Sequence, residues 1–514
     1  MTTVPWLTVL ALVPLVGALV VALLPKGADL LAKRVALGIS LLVLAGTVFL
    51  ALQFSADSTT QFQFAEQHDW IPAFGVSYSV GVDGIALVLI ALSAVLVPIV
   101  MIAGWHEADN AVGSVKGYFA LLLALEACIV WVFSATDLFL FYVFFEVMLI
   151  PMYFLIGRYG GPRRQYAAVK FLLYSLLGGL LMLAAIIGLY VVSAQMTGTG
   201  TFDYATLVGL DIDPGTQKLL FLGVFFAFAV KAPMVPVHTW LPDAAGEATP
   251  GSAVLLVGVL DKVGTFGMLR YCLPIFPDAA AFYAPVIIAI AVVGIIYGGL
   301  LAIGQSDLKR LIAYTSVSHF GFIVLGIFAF TSQGQSGSAL YMVNHGFSTA
   351  ALFLIAGFLI SRRGSNLIND FGGVAKVAPV MAGLFLVAGL SSLALPGLST
   401  FVSEFLVLVG TFTRYPVAAG FATLGIILAA VYILWMYQRT MTGEPGDEVR
   451  SKVTEIKGRE MLAIVPVVGL IIVLGFVPQV VLNVVNPAVD RNLVTVGVSD
   501  PPPQVTAAIQ GGSK

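Results

Sequence analysis

The sequence predicts an all-α, polytopic membrane protein with fourteen transmembrane helices. Three observations carry that expectation. Of 514 residues, 59% are hydrophobic and only 10% charged, whereas a soluble domain carries about 25% charged residues. Apolar runs of about 20 residues, the length that crosses a bilayer, recur almost end to end. Lys and Arg are also divided unevenly between alternate loops. The formal charge of −2 provides neither a basic surface for nucleic acid nor an acidic tail.

The candidate spans lie near 4–24, 35–54, 85–104, 117–134, 138–157, 167–194, 218–237, 251–273, 283–303, 308–330, 338–360, 378–412, 416–437 and 461–483. The first lacks a basic leader and is followed by further spans, so it reads as a span and not as a signal peptide. With the N-terminus outside, the inner loops hold 18 of the 25 Lys and Arg residues and the outer side five. The other two, Lys231 and Lys262, fall inside spans. Basic residues concentrate in cytoplasmic loops, so both termini are expected outside. The outer loop 55–82 has no Lys or Arg, and weak alternation in GVSYSVGVDG suggests a small hairpin. Residues 439–460 form a charged inner linker. The segment 484–514, with Pro501, Pro502 and Pro503, reads as a loose tail.

Several chemistries lack their motifs. There is no GxxxxGK[ST] loop, and GTGTFD at 198–203 lacks the third glycine of a dinucleotide fingerprint. HEADN at 106–110 lacks the second histidine of a zinc helix, and none of the five histidines stand at i, i+4. Cys128 and Cys272 lie in apolar runs without metal spacing and read as inert core thiols. No cofactor or metal site is expected on this chain, and no nucleophile stands with its base.

The informative residues are charges inside spans. A charge at mid-helix costs about 2.5–3.5 kcal/mol on insertion scales, so it usually has a partner or a task. Glu146, Lys231, Lys262, His319, His345 and Glu404 stand out, with Glu126, Asp137 and Asp261 secondary. Glu146 has about eight apolar or aromatic residues on either side; the plain alternative is an ion pair that only holds two helices. Lys231 is followed by Pro233 and Pro236, which remove the amides that would bond the carbonyls of Ala229 and Ala232. Such a helix must break, and free carbonyls in a membrane require protein or water around them. Lys262 adjoins Asp261, yet successive helical residues point about 100° apart, which makes Asp261 a poor partner. His319 follows the hydroxyls of YTSVS, and His345 lies in MVNHGFSTA; a lone buried histidine is more often a bonded core residue than a relay. Glu404 follows a second break at Pro396 and Gly397.

Spacing links these positions. Glu146 and Lys231 are 85 residues apart, as are His319 and Glu404, and the two pairs are offset by 173. Five spans separate the matched members, so the second copy enters the membrane upside down, a known transporter construction. The chain divides accordingly into an N-terminal three-helix segment (1–110), two inverted five-helix repeats (111–275 and 276–440), each with a broken helix, and a C-terminal piece (441–514). Burial disfavours the charged forms of carboxylates and amines and pairing favours them. Making and breaking one pair can therefore load and discharge a lysine, and histidine suits a relay near neutral pH.

The stretches KAPMVPVHTWLPDAAGEATPGSAVLLVGVLDKVGTFGMLR, QSDLKRLIAYTSVSHFGF, NHGFSTAALFLIAG and LALPGLSTFVSEF resemble the proton-channel subunits of type I NADH–quinone oxidoreductase (complex I). Those subunits are in turn similar to components of multisubunit cation/proton antiporters. The resemblance covers about residues 80–440. Glu404, where sister subunits usually carry lysine, and the lack of a long lateral helix point to the M-type subunits; Asp261 departs from the commoner apolar residue. The resemblance implies that Glu146 and Lys231 are the glutamate–lysine pair, Lys262 the central lysine, His319 and His345 the connecting histidines and Glu404 the terminal exchange group. It implies a non-redox translocase subunit in a bacterial plasma membrane, among phospholipids and sister antiporter-like subunits. NADH, FMN, iron–sulfur clusters and quinone are expected on partner subunits. The rival readings are a subunit of a sodium/proton antiporter and a helical scaffold whose charges only set packing. A solute symporter lacks the expected polar cluster.

Overall fold

In a bilayer, helices satisfy every backbone polar group internally. The computed structural model, which describes residues 4–109 and 111–501, is accordingly mostly helical. Four helices, α1 (Trp6–Leu23), α2 (Asp29–Gln53), α3 (Gly84–Ala103) and α4 (Val115–Ser134), pack together at the N-terminal end. Between α2 and α3 lies an antiparallel hairpin of β1 (Gln63–Ile71) and β2 (Val76–Val82). The alternating GVSYSVGV supplies only its second arm; the first is QFAEQHDWI. A single jointed span follows, α5 (Leu138–Val147) and α6 (Leu149–Tyr159), and then the long α7 (Arg164–Thr197) and short α8 (Tyr204–Val208).

The first broken helix comprises α9 (Pro214–Lys231) and α10 (Trp240–Glu247). Next, α11 (Pro250–Leu255), α12 (Lys262–Gly267) and α13 (Leu273–Ile275) are joined by π-helical turns at Leu256–Leu260 and Met268–Cys272. Three uninterrupted helices follow: α14 (Pro277–Ile303), α15 (Leu308–Phe328) and α16 (Ser332–Arg363). Beyond α17 (Val374–Val377) comes the second broken helix, α18 (Pro379–Ser392) and α19 (Ser399–Arg414). The chain ends in α20 (Pro416–Met441), α21 (Asp447–Lys452), α22 (Arg459–Phe476) and α23 (Gln479–Val496). Helix starts are written in short polar side chains. Asp83, Ser114, Asp137, Asp213, Thr249, Asp307 and Thr331 each accept a backbone N–H of the first turn, which satisfies a donor the helix leaves free.

Among the described residues, twelve helical stretches are long and apolar enough to cross a membrane. They coincide with twelve of the fourteen candidate runs. The remaining two, 218–237 and 378–412, are the interrupted ones. The span Pro250–Ile275 is wholly buried and α15 and α16 nearly so, whereas in α1, α2, α20 and α22 only a minority of residues is buried. The core is therefore α11–α13, α15 and α16, with the remaining helices around it.

One expectation needs correction. Residues 484–496 are not a loose tail but most of α23, which packs on α3 and α16. Val481, Val485, Val489 and Leu493 bury one stripe, and Asn492 donates to the Leu269 carbonyl at 3.2 Å. A test for uniformly apolar runs overlooks such an amphipathic helix, whose other face is polar. Residues 502–514 of the expected tail lie outside the described residues.

A buried ion pair fastens one end of this core. Arg270, in the second π-turn, meets Asp83 at 2.8 Å and lies against the rings of Phe62 and Phe266. Asp83 also caps α3 through the Ala86 amide. Removing one member of a buried pair strands the other and costs about 3–5 kcal/mol. Asp83→Ala is therefore expected to lower the thermal midpoint of the purified protein markedly, with Asp83→Asn, which keeps a capping oxygen, falling between it and the parent.

Candidate functional site

Lys231 is the last residue of α9, and it is buried. Pro233 and Pro236 break the helix as their missing amides require, but the freed groups find partners. The Met234 amide donates to the Ala229 carbonyl at 2.9 Å, and the Trp240 indole donates to the Val230 carbonyl at 2.9 Å. The helix of Lys262 closes over the break at Gly264. A Cβ there would lie 2.6 Å from the Phe228 carbonyl oxygen and 2.7 Å from the Ala232 nitrogen. The break is thus a packed structure with defined bonds, and it holds Lys231 against the rings of Phe145 and Phe171, 5.2 and 5.3 Å from its ammonium. Such faces attract a cation through their quadrupole.

Glu146, on α5, is only half-buried. No ion pair joins it to Lys231: neither Glu146 Oε1 nor Lys231 Nζ has a hydrogen-bond partner among the described residues. The expected glutamate–lysine pair is open in this structure. The Glu146 carboxylate lies instead against α7, where a Cβ on Gly179 would fall 1.6 Å from Oε1.

The second half of the set is closely bonded. Lys262 sits between the two π-turns, fully buried, and its Nζ donates to the Val257 carbonyl at 2.5 Å and meets His345 Nδ1 at 2.7 Å. The rings of His345 and His319 are 5.3 Å apart. His319 Nδ1 meets the Tyr341 hydroxyl at 2.7 Å, and that hydroxyl donates to Glu404 Oε2, also at 2.7 Å. His319 Nε2 lies 3.2 Å from the Ser392 hydroxyl. The second break builds this end. Ala394 and Gly397 take left-handed backbone conformations, with φ of 60° and 92°; for alanine that is a strained state held by its surroundings. Asn344 of α16 donates to the Ser399 carbonyl at 2.6 Å, which ties α19 and its Glu404 to the histidine helix.

The secondary carboxylates separate into two kinds. Asp137 accepts the amides of Leu140 and Ser77, so it caps α5 and ties the hairpin to it. Both oxygens of Glu126, and both of Asp261, are buried without a hydrogen-bond partner among the described residues. Asp261 thus does not bond its neighbour Lys262, in line with their angular separation on the helix. Three features escaped the sequence reading. Tyr341 and Ser392 are ordinary core residues until their partners are known. The π-turns around Lys262, a kind of irregularity frequent at functional sites, have no sequence marker beyond the run of small residues. His238, beside Pro236, was also passed over; it is buried, and its ring lies 5.5 Å edge-on from Tyr297.

Chemically, this is a row of carboxylate, amine, imidazole and hydroxyl groups able to hand protons along, with no group placed for covalent catalysis. The space over Gly179 decides where its first carboxylate rests. In a Gly179→Ala variant the carboxylate must retreat by about 2 Å to regain ordinary contact distance. A density map of that variant is expected to show Glu146 moved, with stability lowered by no more than about 1–3 kcal/mol.

Comparison with known proteins agrees with this geometry. A profile described as NADH:quinone oxidoreductase/Mrp antiporter, transmembrane, matches residues 135–429. The chain is 53% identical to NADH-quinone oxidoreductase subunit M of Mycobacterium tuberculosis, over 98% of this chain and 97% of that one. A chain in the structure of respiratory complex I from Thermus thermophilus superposes with a TM-score of 0.86 at 30% identity, covering 96% of this chain and all of that one. A chain of the Mrp complex from Dietzia superposes with a TM-score of 0.82 at 23% identity over 96% of this chain and all of that one, a likeness of fold. The chain therefore belongs to the family of antiporter-like membrane subunits shared by NADH:quinone oxidoreductases and Mrp antiporters.

Proposed function

We propose that this chain is the M-type subunit in the membrane arm of an NADH–quinone oxidoreductase and that it moves protons across a bacterial plasma membrane. The single observation that carries this reading is the row of two hydrogen-bonded groups, Lys262–His345 and His319–Tyr341–Glu404, whose imidazole rings lie 5.3 Å apart in the buried core. In this reading the chain has no redox role. NADH, FMN, iron–sulfur clusters and quinone act on partner subunits, and sister antiporter-like subunits and phospholipids surround it.

The finer architecture belongs to the same proposal. Counting each broken helix as one crossing gives fourteen, with both termini outside. Residues 111–275 and 276–440 form two inverted five-helix repeats between an N-terminal segment (1–110) and a C-terminal one (441–514). The open pair at Lys231 and Glu146 is one of two states. Redox-driven change elsewhere closes and opens it, and each opening sends the proton of Lys231 through water and Lys262 toward the histidines and Glu404. Glu126 and Asp261, buried and unbonded, stand as accessory sites, while Asp137 is assigned to its helix cap.

Two experiments test this. Glu146→Gln and Lys262→Ala complexes are expected to assemble and to oxidise NADH while NADH-driven proton translocation falls by about a hundredfold or more, the scale of losing a positioned proton-transfer group. Full translocation in either variant rules out the proposed path. Isolation of the chain from its native membrane is expected to bring NADH-binding and iron–sulfur subunits with it. Copurification with cation-antiporter subunits alone would assign it to an Mrp-type complex instead.

A further inference from the structure

We propose that the Tyr341 hydroxyl is the link by which a proton passes between His319 and Glu404. The inference rests on the proton-translocating reading above and adds to it a residue that carries no charge. Tyr341 is fully buried on α16, one helical turn before His345. Its oxygen stands 2.7 Å from His319 Nδ1, on α15, and 2.7 Å from Glu404 Oε2, on α19. Both distances are those of good hydrogen bonds. One hydroxyl thus bridges three helices, and His319 and Glu404 share no hydrogen bond of their own among the described residues. The other ring nitrogen of His319 is turned to Ser392, which leaves the phenol as its route to the carboxylate.

A hydroxyl has one proton to give and lone pairs to accept, and this one is placed to do both at once. With Tyr341 donating to Glu404, its oxygen accepts the N–H of His319. Transfer then moves the imidazolium proton from Nδ1 to the phenol oxygen as the phenol's own proton goes to Glu404 Oε2. The balance is His319–H⁺ and Glu404–COO⁻ becoming neutral His319 and Glu404–COOH, with Tyr341 a neutral phenol before and after. The O–H then points back at Nδ1 once Glu404 donates, and rotation resets it when Glu404 has released its proton. The ring is held for this by His319, edge-on with centroids 5.8 Å apart, and by Phe322 at 6.3 Å. Tyr341→Phe keeps the shape of that packing and removes only the oxygen.

The test uses the whole complex in its native membrane. Tyr341→Phe is expected to assemble at parental levels and to lower NADH-driven proton translocation about a hundredfold or more, in the range of one lost proton-transfer group. Infrared difference spectra are expected to show the C=O stretch of protonated Glu404 at higher frequency, because its hydrogen-bonded partner is gone; Glu404→Gln identifies the band. Tyr271→Phe is the control, removing an equally buried hydroxyl that bonds only the Ala135 carbonyl at 3.0 Å, and is expected to translocate normally. Parental translocation by Tyr341→Phe, or an unshifted Glu404 band, overturns the proposal, as does an equal loss in Tyr271→Phe. If Lys262→Ala loses translocation while Tyr341→Phe keeps it, only the role of Tyr341 fails. If both keep it, the proton-translocating row fails as a whole.

Discussion

An ionisable side chain facing hydrocarbon costs several kcal/mol unless protein or water surrounds it, and that penalty organises this molecule. The less buried helices α1, α2, α20 and α22 carry their charged residues only near their ends. Lys262, His319 and His345 are confined to α12, α15 and α16, the innermost helices, Glu404 is bonded to α16 through Tyr341, and Lys231 is buried at the first break against the rings of Phe145 and Phe171. Irregular backbone follows from the same constraint. A π-turn or a broken helix exposes carbonyls, and a bilayer tolerates those only inside protein, where the carbonyl of Val257 meets an ammonium and that of Val230 an indole.

The membrane class, most spans and the charged members of the row were legible because each violates a strong rule. A lysine amid FFAFAVKAPM or a glutamate amid FYVFFEVML contradicts its surroundings over a whole window. The prolines after Lys231 and before Glu404 mark the breaks for an equally local reason. What stayed hidden depends on neighbours distant in sequence. Tyr341 is one of 17 tyrosines and differs from the others only through partners 22 residues before it and 63 after it. Helix α23 was hidden by its period, since its stripe of valines is diluted by Asn483, Asn486, Asp490 and Arg491. The Glu146–Lys231 pair looked closed in sequence because opposite charges attract. Packing decides otherwise, since α7 makes room for the carboxylate at Gly179 and aromatic faces hold the ammonium.

The two halves of the row consequently differ in how closely their members are bonded. Lys262 is bonded to His345, and His319 to Tyr341 and through it to Glu404, while no hydrogen bond among the described residues joins the two imidazoles, whose ring centres lie 5.3 Å apart. Between Glu146, Lys231 and Lys262 no hydrogen bond runs among the described residues.

The order of charge and break follows only in part from helix electrostatics. In the first broken helix the charge precedes the gap, and in the second it follows the gap, which at first weakens the case for a repeat. A helix, however, carries partial negative charge at its C-terminus and partial positive charge at its N-terminus. Lys231 occupies the last position of α9, where a cation is favoured, whereas Glu404 is the sixth residue of α19, beyond the first turn to which that effect is confined, and is held instead by the Tyr341 hydroxyl. The two breaks thus hold their charges by different means: a helix end for the cation, a hydrogen bond from a neighbouring helix for the carboxylate.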